Sequence, residues 1–151
     1  MAYWLMKSEP TVFGIEHLQQ RDVALWDGVR NYQARNFLRQ MKKGDMAFFY
    51  HSNCKVPGIV GLMMIEREGY DDPTQFDPHH AYFDPKSSLA KPRWTGVDVR
   101  FVEKFQDTLS LNTLRAMPEL ADLPLVRQGN RLSLMPVSDQ QWQVIWAHCK
   151  R

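Results

Sequence analysis

The chain has 151 residues, of which 44% are hydrophobic and 24% are charged, and its formal net charge is +2. These values are ordinary for a globular protein, and we expect one domain over residues 1–151. No apolar run approaches the roughly 20 residues that a membrane-spanning helix needs, so no membrane partner is predicted. The net charge alone does not identify a nucleic-acid binder, because strong binders usually carry denser Lys and Arg clusters.

The N-terminus reads directly as a strand, with no charged leader or cleavage site. We therefore expect a cytoplasmic protein, or a nuclear one if the source is a eukaryote. The two cysteines, Cys54 and Cys149, are expected to be reduced thiols in such a compartment.

Short apolar runs separated by turns predict the elements of the first part of the chain. The run AYWLMK predicts a buried strand that the proline of SEP ends. Apolar spacing between Thr11 and Leu18 predicts one or two helical turns, and DVALWDG predicts a brief extended piece before a turn at Gly28. Asn31 is expected to cap the following helix, because its side chain can accept from first-turn amides.

The middle of the chain predicts strands joined by short turns. KKGDMAFFYHS predicts a strand with Phe48 and Tyr50 on one face and Phe49 on the other. PGIVGLMMIEREGY predicts a long strand, and GVDVRFVEKF predicts another with a bulge where its alternation changes phase. SLNTLRAMPEL predicts a short helix stopped by a proline, and LSLMPV predicts the last strand.

A capped amphipathic helix ends the chain. Ser138 and Gln141 match the capping box, and Trp142 and Trp146 lie on one apolar stripe, which predicts core packing for both indoles. Strands joined by short turns favour antiparallel pairing. The order of elements therefore predicts a compact α+β domain whose small curved sheet or barrel is flanked by helices.

The chain lacks the motifs of familiar hydrolases and nucleotide-dependent enzymes. One segment, YDDPTQFDPHHAYFDPKS, holds acidic and imidazole groups that could surround a metal. Adjacent His79 and His80 are awkward ligands, because neighbouring side chains in extended backbone point apart. Proline-flanked turns explain the same composition. We expect a loop here, with a metal site as the alternative, and we predict neither a metal nor another cofactor.

Polar and aromatic side chains concentrate where the predicted strands end. If those ends meet at one mouth, they provide aromatic walls with amide, hydroxyl and cationic groups between them. Such a site suits a nucleobase, since stacking on an aromatic ring contributes about 1–3 kcal/mol per base. Arg30 beside a helix start would favour a nearby phosphate. The alternative is that Trp26 and Tyr50 are simply core residues.

The order of several long motifs resembles that of EVE-domain proteins, the thymocyte nuclear protein family. The motifs are YWLMKSEP, WDGVRNYQARNFLR, FFYHS, GIVGL and RLSLMPVS, and the resemblance runs from about Tyr3 to Trp142. It implies a PUA-like fold, a curved and mostly antiparallel β-barrel flanked by helices. It also implies recognition of a modified base, such as a modified cytosine, in DNA or RNA, because PUA-like relatives hold such bases in a pocket.

The resemblance also suggests which residues form the pocket. Trp26 matches the pocket aromatic of the family and would stack on the base, while Lys7 and Ser8 match KSEP at the rim and floor. Three further motifs belong to the implied pocket. GVRN would contact the base edge or a phosphate, YHS would form a second wall, and LSLMPV would be the closing strand. Their matching residues are Val29, Arg30, Asn31, Tyr50, His51, Ser52, Ser133 and Pro136.

Three functions are compatible with these residues. The first is a non-catalytic, monomeric reader of a modified base in nucleic acid. The second is a small amidohydrolase-like enzyme acting on a modified pyrimidine nucleoside, as in ASCH-type relatives, where Lys7 with Glu9 or Tyr50 would transfer protons. A lysine base would need a pKa lowered by burial. The third is an interaction domain whose polar mouth has no ligand.

Overall fold

A six-stranded sheet forms the centre of the protein in a computed structural model that describes residues 1–151. Neighbouring strands follow the order β2-β5-β4-β3-β1-β6, in which β1 runs parallel to β3 and every other pair is antiparallel. The predicted α+β class with mostly antiparallel pairing is therefore confirmed. The strands are β1 (Tyr3–Ser8), β2 (Val23–Trp26), β3 (Met46–His51), β4 (Gly58–Asp71), β5 (Thr95–Ser110) and β6 (Leu134–Val137).

Helices pack on the sheet and connect its strands. No helix combines the length and the apolar character that crossing a membrane requires. The helices are α1 (Pro10–Phe13), α2 (Ile15–Arg21), α3 (Tyr32–Gln40), α4 (Leu111–Arg115) and α5 (Asp139–His148).

Two helices begin where their capping residues predict. Asn31 Oδ1 accepts a hydrogen bond from the Ala34 N–H at 2.9 Å, which caps α3. Ser138 and Gln141 form a reciprocal capping box in front of α5. These side chains satisfy first-turn amides that have no partner within the helix, and so they determine where each helix starts.

The sheet separates two hydrophobic cores, and β3 contributes alternate side chains to each. Phe49 lies in the core that also contains Trp26. Phe48 and Tyr50 lie in the opposite core, where Phe48 stacks on Trp142 of α5 with a centroid distance of 3.9 Å. This is the alternation that the sequence of β3 predicts, and Trp142 is the core residue expected from the α5 stripe.

Strand β5 contains the predicted bulge. Leu62 of β4 pairs with Glu103, but the next residue, Met63, pairs with Phe101, which leaves Val102 without a partner. An extra residue on one strand bends and twists it while the ladder continues on both sides. The long β4–β5 ribbon therefore curves. Strands β2 and β6 remain the two edges of the sheet, so the predicted closure into a barrel is not shown.

The buried carboxylate of Asp72, just after β4, holds the turn that follows β2. Its Oδ2 accepts from the Gly28 N–H at 2.9 Å and from Arg30 Nη1 at 3.0 Å. Its Oδ1 accepts from the backbone N–H and the hydroxyl of Thr74 at 2.9 and 2.6 Å. Burial by itself would raise the pKa of Asp72, but the bonds from Thr74, Gly28 and Arg30 outweigh it, and the pKa lies below its ordinary value.

We expect Asp72→Asn to lower the free energy of unfolding by about 2–3 kcal/mol at pH 7, because it leaves Arg30 without its charged partner. A carboxyl with a lowered folded-state pKa stabilises the fold above its unfolded-state pKa, near 3.9, and this contribution is lost as the pH falls through the folded-state pKa. The wild-type protein should therefore lose more stability than Asp72→Asn between about pH 5 and pH 2.

Urea unfolding at several pH values measures this difference. The matched control is Asp71→Asn, the same change at the neighbouring exposed carboxylate. Equal stability of Asp72→Asn and Asp71→Asn at pH 7 would contradict the assigned role of Asp72.

Candidate functional site

A cavity of about 780 Å³ opens where β1 and β2 end. The turn after β2, the loop after β3, the segment at residues 80–82 and the residues before β6 complete its wall. A ligand site at the strand ends, one of the two sequence-based alternatives, requires such a convergence. The predicted pocket residues that line the cavity are Lys7, Ser8, Trp26, Val29, Arg30, Asn31, Ser52 and Ser133.

Trp26 belongs to both the core and the cavity wall. Its relative exposure is only 6%, and it lines the cavity with that remaining surface. The rings of Phe49 and Phe13 meet the indole edge-on, at centroid distances of 5.3 and 6.3 Å. Edge-to-face contacts are favourable for aromatic rings, so they hold the plane of the indole before any ligand enters. The two alternatives for Trp26, core residue and pocket wall, therefore both apply.

Gly28 permits the close approach of a second aromatic ring. Its φ of +75° lies in the left-handed region, and a Cβ at this position would overlap the ring of Tyr82. Arg30 fixes Tyr82 from the other side, since its guanidinium donates to the Tyr82 carbonyl at 2.7 and 3.1 Å. Tyr82 lines the cavity and was not predicted, because it lies in a segment interpreted only as a loop.

Asn31 and Lys7 both line the cavity. The side-chain oxygen of Asn31 is occupied by the helix cap, and its Nδ2 donates to no group of the chain, so the amide can donate to a ligand. Lys7 Nζ lies 5.8 Å from the centroid of the Tyr50 ring. Burial, followed by the charge of Arg115, lowers the pKa of Lys7.

Three predicted pocket residues lie outside the cavity. Tyr50 is 2% exposed in the opposite core, where burial raises the pKa of its hydroxyl to about 12. His51 Nε2 accepts from the Ile15 N–H at 3.1 Å at the start of α2, and burial lowers the pKa of His51. Pro136 is exposed on the edge strand β6, opposite Trp4. Alternation along β3 turns neighbours to opposite faces, so adjacency in YHS does not bring all three residues to one wall.

Asp27 is another cavity residue that was not among the predicted pocket residues. Its half-buried carboxylate lines the cavity and accepts no hydrogen bond from another residue. Burial and then the nearby charge of Asp72 raise the pKa of Asp27. A half-buried carboxylate without a partner favours a ligand that brings a hydrogen-bond donor. Its position directly after Trp26 was the available signal.

Cations outnumber acids around the cavity. Lys7, Arg21 and Arg131 line it together with Arg30, which is paired with Asp72, and with two carboxylates, those of Glu9 and Asp27. The Glu9 carboxylate also accepts from Asn53 Nδ2. The mouth therefore attracts anions, and a phosphate next to a ring-shaped ligand fits this charge distribution.

The acidic and imidazole segment has internal partners for several of its polar groups. Besides Asp72, which holds the β2 turn, Asp84 Oδ2 accepts from Trp94 Nε1 at 2.7 Å, and His80 Nδ1 accepts from the Tyr82 N–H at 3.0 Å. A 3-10 turn and irregular loops cover this segment, as the loop interpretation predicts. No group of three or more His, Cys, Asp and Glu side chains is placed so that it could hold a metal ion.

The chain is similar to known proteins over nearly its whole length. Thymocyte nuclear protein 1 of Mus musculus is 45% identical over 162 residues, which cover 95% of this chain and 71% of that protein. A crystal structure of a Pseudomonas syringae protein matches with a TM-score of 0.95 at 52% identity, over 97% of this chain and 98% of that one.

A second similar structure contains nucleic acid. It is the crystal structure of human THYN1 protein in complex with DNA that contains 5-methylcytosine, with a TM-score of 0.89 at 41% identity. The match covers 97% of this chain and 96% of the human one. The family model for the EVE domain matches residues 2–148 of the chain. With most of its length matched in this way, the chain belongs to the EVE-domain family.

Proposed function

We propose that the cavity receives a modified nucleobase, such as a modified cytosine, from a DNA or RNA strand and reads it without changing it. The observation that carries this proposal is one cavity in which an oriented indole lies beside hydrogen-bonding groups that no residue of the chain uses. The DNA complex of the human relative, whose strand contains 5-methylcytosine, supports the same kind of partner.

Stacking would position the base. Trp26 supplies one aromatic surface and Tyr82 another, and both belong to the cavity wall. The cavity of about 780 Å³ is larger than a single base requires, so it leaves room for the attached sugar and phosphate. A base in a strand must leave its stack before its face and edge can be inspected, so base flipping is the expected mode of entry.

Hydrogen bonds to the base edge would provide selectivity. The Asp27 carboxylate can accept from the exocyclic amine of cytosine, whereas the carbonyl oxygen that thymine carries at that position would be repelled. The Asn31 amide can donate to a carbonyl oxygen of the ring. The rim cations, including Lys7 and Arg131, would contact the flanking phosphate. These roles favour a cytosine-type base.

We also infer that the sheet curls towards the barrel that the family resemblance implies. Trp26 ends β2 and Ser133 precedes β6, so they belong to opposite edges of the sheet. A flat six-stranded sheet would hold its edges roughly 24 Å apart. Their presence in one cavity wall supports strong curvature. One chain supplies the whole wall, so a monomer is sufficient to form the cavity. A nucleic-acid partner would be met in the cytoplasm or in a nucleus.

One observation favours the enzyme as a second candidate. Lys7 lines the cavity, and its lowered pKa increases the neutral fraction of the amine, the form that accepts a proton. An amidohydrolase would also need a group to activate water or to attack the substrate. Of the two partners predicted for Lys7, Tyr50 lies outside the cavity, and Glu9 lines it but already accepts a hydrogen bond from Asn53 Nδ2. The geometry therefore favours reading over turnover.

We expect Trp26→Ala to weaken binding of a modified oligonucleotide about 5- to 150-fold, the equivalent of about 1–3 kcal/mol of lost stacking. Titration calorimetry with 5-methylcytosine and unmodified strands measures the effect, and the wild-type protein should prefer the modified strand. Trp26 also packs in the core, so Tyr82→Ala, in a loop, serves as a second variant. Trp146→Phe, on α5, is the control.

Mass spectrometry of the same mixtures after long incubation separates reading from turnover. An unchanged nucleoside mass agrees with reading, and a product that depends on Lys7 would favour the enzyme instead. Equal affinity of the wild-type protein for modified and plain strands would contradict the proposed preference.

We expect Asp27→Asn to reduce the preference for 5-methylcytosine over thymine by about 10-fold or more, because one base-edge contact contributes about 1–3 kcal/mol of discrimination. Both bases carry a 5-methyl group, but 5-methylcytosine has an exocyclic amine where thymine has a carbonyl oxygen. An asparagine amide both donates and accepts, so it tolerates either group. Paired titrations with the two strands provide the measurement, with Glu9→Gln as the control carboxylate. An unchanged ratio would show that Asp27 does not read the base.

A further inference from the structure

The exposed face of α3 carries arginines that no carboxylate of the protein neutralises. Arg35 and Arg39 lie four residues apart on this helix, and Arg93, from the loop before β5, lies next to them. None of the three takes part in an ion pair, whereas Arg100, on β5, binds both Asp22 and Glu66. Like charges four residues apart destabilise a helix, so this arrangement does not serve α3 itself.

The protein nevertheless holds the guanidinium groups of Arg35 and Arg39 in place. Arg35 Nη1 donates to the Arg93 carbonyl at 3.1 Å, and Arg39 Nε donates to Thr95 Oγ1 at 2.9 Å. The Arg35 guanidinium also lies 4.7 Å from the centroid of the Tyr32 ring. Burial and then the charge of Arg39 lower the pKa of Arg35. Held guanidinium groups lose less conformational freedom when they bind an anion.

An aromatic stack connects this arginine face to the cavity. The Arg30 guanidinium, from the cavity wall, lies 5.5 Å from the centroid of Trp94. Trp94 stacks on Tyr32 with a centroid distance of 4.8 Å, and Arg35 follows over Tyr32. Arginine side chains and the aromatic rings between them therefore connect the cavity wall to the exposed face of α3.

We propose that Arg35, Arg39 and Arg93 bind the phosphates of the nucleic-acid strand that flanks the base in the cavity. This inference rests on the proposed function, and it assigns the strand a path across α3. Arginine suits phosphate because its planar fork donates two parallel hydrogen bonds. Phosphate contacts position a strand and add salt-dependent affinity without reading its sequence.

The test compares a long ligand with a short one on the double variant Arg35→Gln with Arg39→Gln. For a single-stranded 12-mer with one central 5-methylcytosine, we expect about 10-fold weaker binding at about 0.15 M salt and a log–log salt slope smaller by about 1.4. Quenching of tryptophan fluorescence by 5-methyldeoxycytidine, which carries no phosphate, should give an unchanged affinity. The control is Lys150→Gln with Arg151→Gln, which removes the same charge at the end of α5.

The outcomes separate this inference from the proposed function. If the wild-type protein binds the nucleoside and the double variant binds the 12-mer as tightly as the control does, the strand path is wrong and the base pocket stands. An equal loss for nucleoside and 12-mer would place the effect in the cavity and would also overturn the strand path. If the wild-type protein binds neither ligand, both proposals fail.

Discussion

The geometry of the cavity depends on one buried carboxylate, that of Asp72. Its hydrogen bonds from Gly28 and Arg30 join the segment after β4 to the turn after β2, two parts of the chain far apart in sequence, and two local bonds from Thr74 orient the carboxylate. The turn follows Trp26 directly and leads into the cap of α3, so its position decides where the indole, Asp27 and Asn31 meet. Asp72 thereby holds the wall in place before a ligand enters. Because these groups are already ordered, the loss of conformational entropy on binding is smaller.

Two kinds of polar group surround this turn, and their partners explain their different roles. Asp72 and the guanidinium of Arg30 are satisfied within the protein, so they position other groups. Asp27 and the amide nitrogen of Asn31 have no partner from another residue, so they are available to a ligand. The same distinction separates Arg100, paired with two carboxylates, from the unpaired arginines of α3. Unused hydrogen-bonding capacity beside an aromatic wall is what a reader of flat polar rings requires.

Periodicity and capping predicted much of the local structure, because both depend on residues close together in sequence. Strand β3, with Phe48 and Phe49 on opposite faces, and the capped helix α5 follow their patterns directly. The cavity wall differs from the pocket that the resemblance implied at Tyr50 and His51 of the YHS motif. Tyr50 faces the opposite core, and His51 is occupied at the start of α2. Tyr82 was missed because its place depends on Arg30, a contact that no local pattern encodes.

The sequence by itself determined the α+β class, the elements and the resemblance to the EVE-domain family, and it offered a site at the strand ends as a hypothesis. Periods of 2 and 3.6 residues, caps and long motifs carry that information within short stretches of chain. Only the tertiary structure decided which side chains share the cavity, that Asp27 lacks a partner and that an aromatic stack joins the cavity to α3. These features arise from contacts between distant segments, where burial and charge act through space and not along the chain.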